Sequence, residues 1–492
     1  MGRKPIAKRR VATRRGVLQG GAAIALSAAL PSAGDAFEPR AVVNDASRLN
    51  PTPVARHWVV APNEDAAFVE RLRAELKDAT AAKRPVAVGT ARHSMGGQSI
   101  PRDGTAISLN ISRCEPDTAN MVFRVNAGTR WRAVISTLDP LGFSPAVMQS
   151  NHDFGVASTF SVNAHGWPVP YGPFGSTVRS LRMMLADGTV VTCSKTENTE
   201  LFNLAMGGYG LVGVIVELVC EMVPNTLLKP TFEVMPASAF GTKFAAAIEG
   251  NTGVTMAYGR LNVARATFFE QALMITMKPQ PTPATGIPPA SSGSIISSLS
   301  REVYRAQVGS ETAKRTRWFL ETTVGPKAAS GLYSRNSCLN EPVSNLAGRD
   351  RRRTDILHEY FVPPERFPEF LTACREVILK SKQEFLNVTL RYVGADPSSV
   401  LAFAPTRRIA AVMSFSQEMT PEAETDMLRM TEALIERIIA IGGSFYLPYR
   451  LHARHDQVFA AYANAPKFIE RKLHYDPGRL FRNTMWDTYF AV

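Results

Sequence analysis

Val86-Ala87-Val88-Gly89-Thr90-Ala91-Arg92-His93-Ser94-Met95-Gly96-Gly97-Gln98 is a short apolar strand that runs into a loop holding three glycines. Glycine reaches backbone conformations closed to other residues, so successive amide N–H groups in such a loop can turn toward one point and form a nest for an anion. A pyrophosphate suits a nest of that kind. The spacing is not G-x-G-x-x-G and no helix follows at once, which disfavours a doubly wound dinucleotide fold. The candidate cofactor contacts are Gly89, Thr90, Ala91, Arg92, His93, Ser94, Gly97 and Gln98.

Two later stretches have the same character. Phe154 to Gly166 (FGVASTFSVNAHG) is rich in small residues and carries short polar groups; Gly155, Ser158, Thr159, Ser161, Asn163 and Gly166 are its candidate contacts. Gly207 to Ile215 (GGYGLVGVI) leads four glycines into an apolar strand, and offers Gly208, Gly210, Gly213, Val214 and Ile215. Both stretches let backbone approach a flat ligand.

The surrounding pattern is α+β. Strands are predicted at Val59–Pro62, Pro85–Val88, Ala106–Leu109 and Met121–Val125. Helical periodicity covers Glu64–Ala81 and Trp131–Leu138, the latter closed by Pro140 and Gly142. Val178–Ala186 and Thr189–Cys193 flank Asp187-Gly188, a hairpin dipeptide. Gly213–Met222 is a further apolar strand. Residues 278–298 are rich in Pro, Ser and Gly and read as a loop, and Arg349–Arg353 reads as a solvated charge run. Long helices are predicted at Pro368–Lys382 and Pro421–Ile441.

These motifs, in this order, resemble the FAD-binding domain of the vanillyl-alcohol-oxidase superfamily, also called PCMH-type. The resemblance implies a two-subdomain FAD-binding domain over residues 54–224. It further implies a substrate, or cap, domain over 225–450 with a mixed or antiparallel sheet and flanking helices. A segment 451–492 would return to the FAD domain. Asp476-Pro477-Gly478-Arg479-Leu480-Phe481-Arg482-Asn483 is similar to the family's closing motif and adds Asn483 to the cofactor set. Arg92-His93-Ser94-Met95-Gly96-Gly97-Gln98 resembles the loop of cytokinin dehydrogenase and sugar-alcohol oxidases, which implies FAD held covalently through His93. Relatives of the decaprenylphosphoryl-ribose oxidase kind carry the loop without the bond, and here Ala91-Arg92 replaces the usual glycine before the histidine, so both forms stay open. Gln149 to Phe154 contains no cysteine, so no second link is expected.

The same resemblance implies an oxidoreductase that moves a hydride from an alcohol, sugar or similar polar substrate to flavin N5, with O2 or a quinone or cytochrome as electron acceptor. His152 and Asp153 lie near the position of a family base. A strand Ser444–His452 would put Tyr446, Arg450 and His452 on one face, and Arg391 lies on a similar strand, Asn387–Tyr392. Glu359-Tyr360-Phe361-Val362-Pro363 reads as a strand of the cap-domain sheet. Two other readings remain: a non-catalytic binding protein on the flavin fold, and a flavin reductase or epimerase-type partner enzyme of the decaprenyl-ribose kind.

Charge and cysteine usage bound the rest. Seven of the thirteen net positive charges fall before residue 35, leaving a mildly basic +6, and no interleaved basic-aromatic surface points to nucleic acid. Residues 1–36 carry Arg14-Arg15, an apolar run from Gly20 to Leu30 too short to span a bilayer, and small residues suited to cleavage. They resemble a twin-arginine signal, which implies export to the periplasm and no transmembrane anchor after cleavage. Five cysteines without metal spacing are read as buried thiols, with no bridge and no metal assigned.

Overall fold

Val86, Ile107 and Val60 are buried apolar residues on three strands, Val86–Gly89, Thr105–Leu109 and Arg56–Val60, that pair in parallel with Thr105–Leu109 in the centre. The computed structural model describes residues 41–250, 252–291, 298–343, 348 and 350–491. The signal expected at 1–36, the 292–297 part of the expected loop, and Arg349 lie outside the described residues. Helix Phe68–Ala81 buries Phe68, Leu72, Leu76 and Ala79, the spacing of one helical face, and its Glu75 accepts a bond from Thr105 Oγ1 at 2.8 Å.

A six-stranded antiparallel sheet follows. Its path runs Val190–Ser194, Val178–Met184, Val214–Pro224, Val122–Asn126, Cys114–Asp117, and Phe143–Pro145 pairs with the end of Val214–Pro224. The predicted hairpin at Asp187-Gly188 forms, with Val190 opposite Met184. Helix Trp131–Leu138 buries Trp131, Val134, Ile135 and Leu138. Its first amides are satisfied from outside: Trp131 N donates to Phe154 O and Arg132 N to His152 O.

The third sheet has eight antiparallel strands, in the order Tyr333–Ser334, Leu227–Pro236, Gln271–Gln280, Met256–Leu261, Glu384–Val393, Arg408–Glu418, Arg353–Val362, Ser444–Phe445. Helices Phe367–Ile378 and Pro421–Ala440 contact each other, and Pro421–Ala440 contacts the strands Arg408–Glu418 and Arg353–Val362. Arg260, Thr389, Val412 and Glu359 stand opposite one another in register across four neighbouring strands.

Two expectations are corrected. The strand Gln271–Gln280 continues into the segment read as loop, because its whole length pairs with Leu227–Pro236. The strand expected at Ser444–His452 stops at Phe445; beyond it the chain is irregular, because Pro448 has no amide for a ladder.

The C-terminal segment reaches back to the first sheet. Val86 N donates to Leu480 O at 2.7 Å, and Val86 forms a parallel bridge with Phe481. All five cysteines are free; Cys193, Cys220, Cys338 and Cys374 are buried.

Candidate active site

Gly155 lies so close to Thr90 that a Cβ on it would come within 2.8 Å of the Thr90 hydroxyl oxygen. The absence of a side chain there brings the first glycine loop against the helix Val156–Ser161. The third glycine stretch joins the same place through backbone bonds, Gly207 N to Phe160 O (3.0 Å) and Tyr209 N to Ser161 O (2.8 Å). Asn483 then ties the two ends, its side-chain amide donating to Gln98 O at 2.9 Å and Tyr209 O at 3.2 Å.

Between these stretches and the open face of the eight-stranded sheet lies a cavity of about 1300 Å³. Small-molecule clefts are typically about 300–1,000 Å³, so this one has room for a dinucleotide and a second molecule. Gly89 to Ser94 and Gln98 line it, as do Gly155, Ser158, Thr159, Ser161, Gly210, Gly213, Val214 and Ile215. The amides of Ala91, Arg92, His93 and Ser94 have no acceptor among the described residues. Consecutive amides without a protein acceptor, at the mouth of a strand, are what an anion needs. Several buried side-chain donors on the wall, Gln149 Nε2, Trp167 Nε1, Arg391 Nε and Arg92 Nε, also lack partners. The wall therefore calls for a ligand rich in acceptor oxygens and nitrogens, which fits a flavin dinucleotide.

Other expected contacts serve the frame and do not line the cavity. Gly97, at φ +69°, donates to Asp45 at 2.9 Å. Asn163 bonds Asp396 and receives Gly175 N, Gly166 abuts the Met148 carbonyl, and Gly208 abuts that of Leu204. Asn483 acts as the tie already described. His93 lines the cavity, its ring 4.4 Å from that of Phe154 and without a hydrogen-bond partner among the described residues. Burial holds its pKa below the ordinary value against the opposing pull of Asp153.

The expected catalytic residues separate. Arg391 and Tyr446 line the cavity, and the Tyr446 hydroxyl is committed to Val162 O at 2.8 Å. Arg450 and His452 do not; both bond Glu424, His452 Nε2 at 2.8 Å, because the irregular chain after Phe445 turns them toward helix Pro421–Ala440. His152 and Asp153 also face elsewhere. The His152 carbonyl caps helix Trp131–Leu138, and the side chains of both residues hold the segment after Leu339: His152 Nδ1 meets Asn340 Oδ1 at 2.7 Å and Asp153 accepts from Val343 N at 2.6 Å.

What faces the cavity instead is a buried polar group that the sequence reading missed. Glu359, 3 % exposed, bonds His165 Nε2 and accepts the Tyr449 hydroxyl at 3.0 Å. Arg391 donates to His165 O at 3.0 Å and Ser150 Oγ at 2.9 Å. All five residues line the cavity. Burial pushes the Tyr449 hydroxyl well above its usual pKa, with Glu359 adding to the rise; burial lowers His165, which keeps the imidazole neutral with its Nε2 proton on Glu359. The available signal was Glu359 itself, a carboxylate beside His358 in an otherwise apolar strand, Leu357–Val362.

Comparison with known proteins gives a consistent result. Residues 65–194 match the family described as FAD binding domain. Cytokinin dehydrogenase 8 of Oryza sativa subsp. indica is 30% identical over 218 residues, which is 39% of this chain and 40% of that protein. D-arabinono-1,4-lactone oxidase of Yarrowia lipolytica is 32% identical over 111 residues, 23% of this chain and 21% of that protein. Cytokinin dehydrogenase 1 of Arabidopsis thaliana is 28% identical over 138 residues, 27% of this chain and 24% of that protein. The chain thus spans less than half the length of each of these relatives.

Proposed function

We propose that this FAD-binding member of the vanillyl-alcohol-oxidase, or PCMH-type, oxidoreductase superfamily oxidises a CH–OH group of a polar substrate in the shared cavity. The observation that carries the reading is the Glu359–Tyr449–His165 group on the same cavity as the glycine loop Gly89–Gln98. FAD, when bound, supplies the hydride acceptor. The amides of Ala91–Ser94 would hold its diphosphate, and the small residues of the helix Val156–Ser161 and the stretch Gly210–Ile215 would bound its ring.

The chain's own work is proton handling. The substrate hydroxyl gives its proton to the Tyr449 oxygen as Tyr449 passes its own to Glu359 Oε2, so no charge is left on the tyrosine. His165 fixes the carboxylate by donating to its other oxygen. Arg391 braces this wall through His165 O and Ser150 and places a positive charge beside it.

Three further elements complete the reading. His93, its pKa lowered by burial and its ring nitrogens without a hydrogen bond among the described residues, is the residue that would carry FAD covalently. Electrons would leave to O2 or to a quinone or cytochrome. The basic and apolar segment of residues 1–36 supports export by the twin-arginine route to the periplasm.

Anaerobic mixing of the yellow holoprotein with alcohols, sugars, lactones and amines tests the central claim. Bleaching of the flavin band by a CH–OH donor supports it. Bleaching by amines alone, or by dithionite alone, refutes it. Stoichiometric H2O2 on readmission of air would assign O2 as acceptor.

A further inference from the structure

The cavity holds one more built element, on the far side of the sheet face from Glu359. Arg260 stands opposite Thr389, Thr389 opposite Val412, and Val412 opposite Glu359. Its guanidinium donates to Asn387 Oδ1 at 3.1 Å and to Thr389 Oγ1, and it lies 5.5 Å from the Tyr258 ring centre. Tyr258 in turn stacks on Trp167 at 4.7 Å. Arg260, Thr389, Asn387, Tyr258 and Trp167 all line the cavity.

The charge pattern on this wall is uneven. Arg305, Arg317 and Arg353 each pair with a carboxylate: Asp355, Glu321 and Glu418. Arg260 and Arg391 have no ion pair within 4.0 Å among the described residues. A guanidinium held in place by neutral oxygens, half out of water and without a counter-charge, is a costly arrangement that an anionic ligand relieves. The donor Trp167 Nε1, without a partner among the described residues, lies on the same wall and likewise calls for an acceptor.

We propose that Arg260, with Thr389 and Asn387 bracing it, binds an anionic end group, a carboxylate or a phosphate monoester, on the substrate whose CH–OH group is presented to Tyr449 and Glu359. Neighbouring strands lie about 4.8 Å apart, so three steps separate the Arg260 and Glu359 backbones by roughly 14 Å. Side chains projecting from both ends shorten that span to the reach of a chain several carbons long. The ligand class is an acidic sugar or polyol derivative with its charge remote from the oxidised carbon. This inference rests on the function proposed above for the same cavity.

The test uses holoprotein and three matched probes: glucitol, gluconate and glucitol 6-phosphate. Binding is read by calorimetry and by perturbation of the flavin spectrum, and turnover by anaerobic flavin bleaching. The expected result is that gluconate or glucitol 6-phosphate binds about tenfold or more tightly than glucitol, that added salt narrows the gap, and that Arg260→Gln removes the preference. Arg260→Lys should retain part of it. A carboxylate site favours gluconate and a phosphate site favours the phosphate ester. Equal binding of all three, or a preference that survives Arg260→Gln, overturns the anion site. Bleaching without anion preference leaves the oxidoreductase reading standing and this one refuted. Arg260-dependent anion binding without bleaching by any donor does the reverse. Neither binding nor bleaching refutes both.

Discussion

Tyr449 donates its hydroxyl to Glu359 at 3.0 Å, joining an irregular segment after the last strand of the large sheet to the middle of the strand Arg353–Val362. The pair faces the cavity with the tyrosine half-buried and the carboxylate enclosed. Among the described residues, Glu359 is the hydrogen-bond partner that hydroxyl has, so a proton entering there passes to the carboxylate.

Replacing Tyr449 by Phe removes that entry while preserving the ring. Flavin content should stay as in the wild type, and the rate of anaerobic bleaching should fall by roughly 10²–10⁴-fold, the usual worth of a positioned acid–base group. Unchanged bleaching in Tyr449→Phe would remove the tyrosine from the mechanism.

His93→Ala separates attachment from binding. In the wild type a flavin-fluorescent band should persist under denaturing electrophoresis; in the variant that band should vanish while the native protein still holds yellow cofactor. Retention is expected because the amides of Ala91–Ser94 do not depend on the imidazole. Flavin released from the wild type by acid precipitation alone would show that His93 forms no bond.

Arg450 and His452 should prove structural. His452→Ala strips Glu424 of a 2.8 Å partner in a partly buried network and should cost about 1–3 kcal/mol, seen as a lower Tm, with flavin bleaching by substrate unchanged. A selective loss of bleaching rate at constant Tm would restore His452 to the catalytic group.

Glu424 also sets an acid limit. Burial opposes its ionisation, but bonds from His452, Gln417 and Arg450 outweigh that and hold the carboxyl far below its ordinary range. Because the folded pKa is depressed, the stabilisation is complete above the unfolded value of about 4.3 and is lost as pH falls through the folded value. The Tm difference between wild type and Glu424→Gln should be constant from about pH 7 to about pH 5, then close as the medium is acidified further. A gap that instead widened on acidification would contradict the network.

Lys472 and Asp476 form an enclosed ion pair, and Asp476 also receives the amides of Leu480 and Phe481 at 2.8 Å each. Asp476→Asn leaves a buried ammonium without its counter-charge and should cost about 3–5 kcal/mol. The strand Val86–Gly89 hangs on Leu480, so the variant should also lose flavin more readily on dilution. Chemical denaturation and the flavin-to-protein absorbance ratio report the two effects separately.

The glycine loop was legible because its requirement is local: residues 89–98 need backbone freedom that any reader of the chain can see. Helix Trp131–Leu138 was legible for the same reason, four buried residues at helical spacing and a stop at Pro140 and Gly142. The proton-handling group was not. Glu359 was correctly placed on a strand, but its direction into the cavity follows from its register opposite Val412 and from the contacts of that face, which are set across the sheet. Tyr449 was passed over because a continuous strand through Pro448 made alternation look reliable. His165 stood in the small-residue stretch and was overlooked in favour of its neighbours; only the fold brings it to Glu359, 194 positions away.

The tie made by Asn483 has a temporal consequence. Gln98 and Tyr209 are translated long before the residue that laces them together, and Val86 waits equally for Leu480. A nascent chain therefore cannot assemble a finished nucleotide cradle on the ribosome, however well its first two hundred residues fold. Cofactor capture must come after synthesis has passed residue 483, which makes a clipped C-terminus a route to colourless protein.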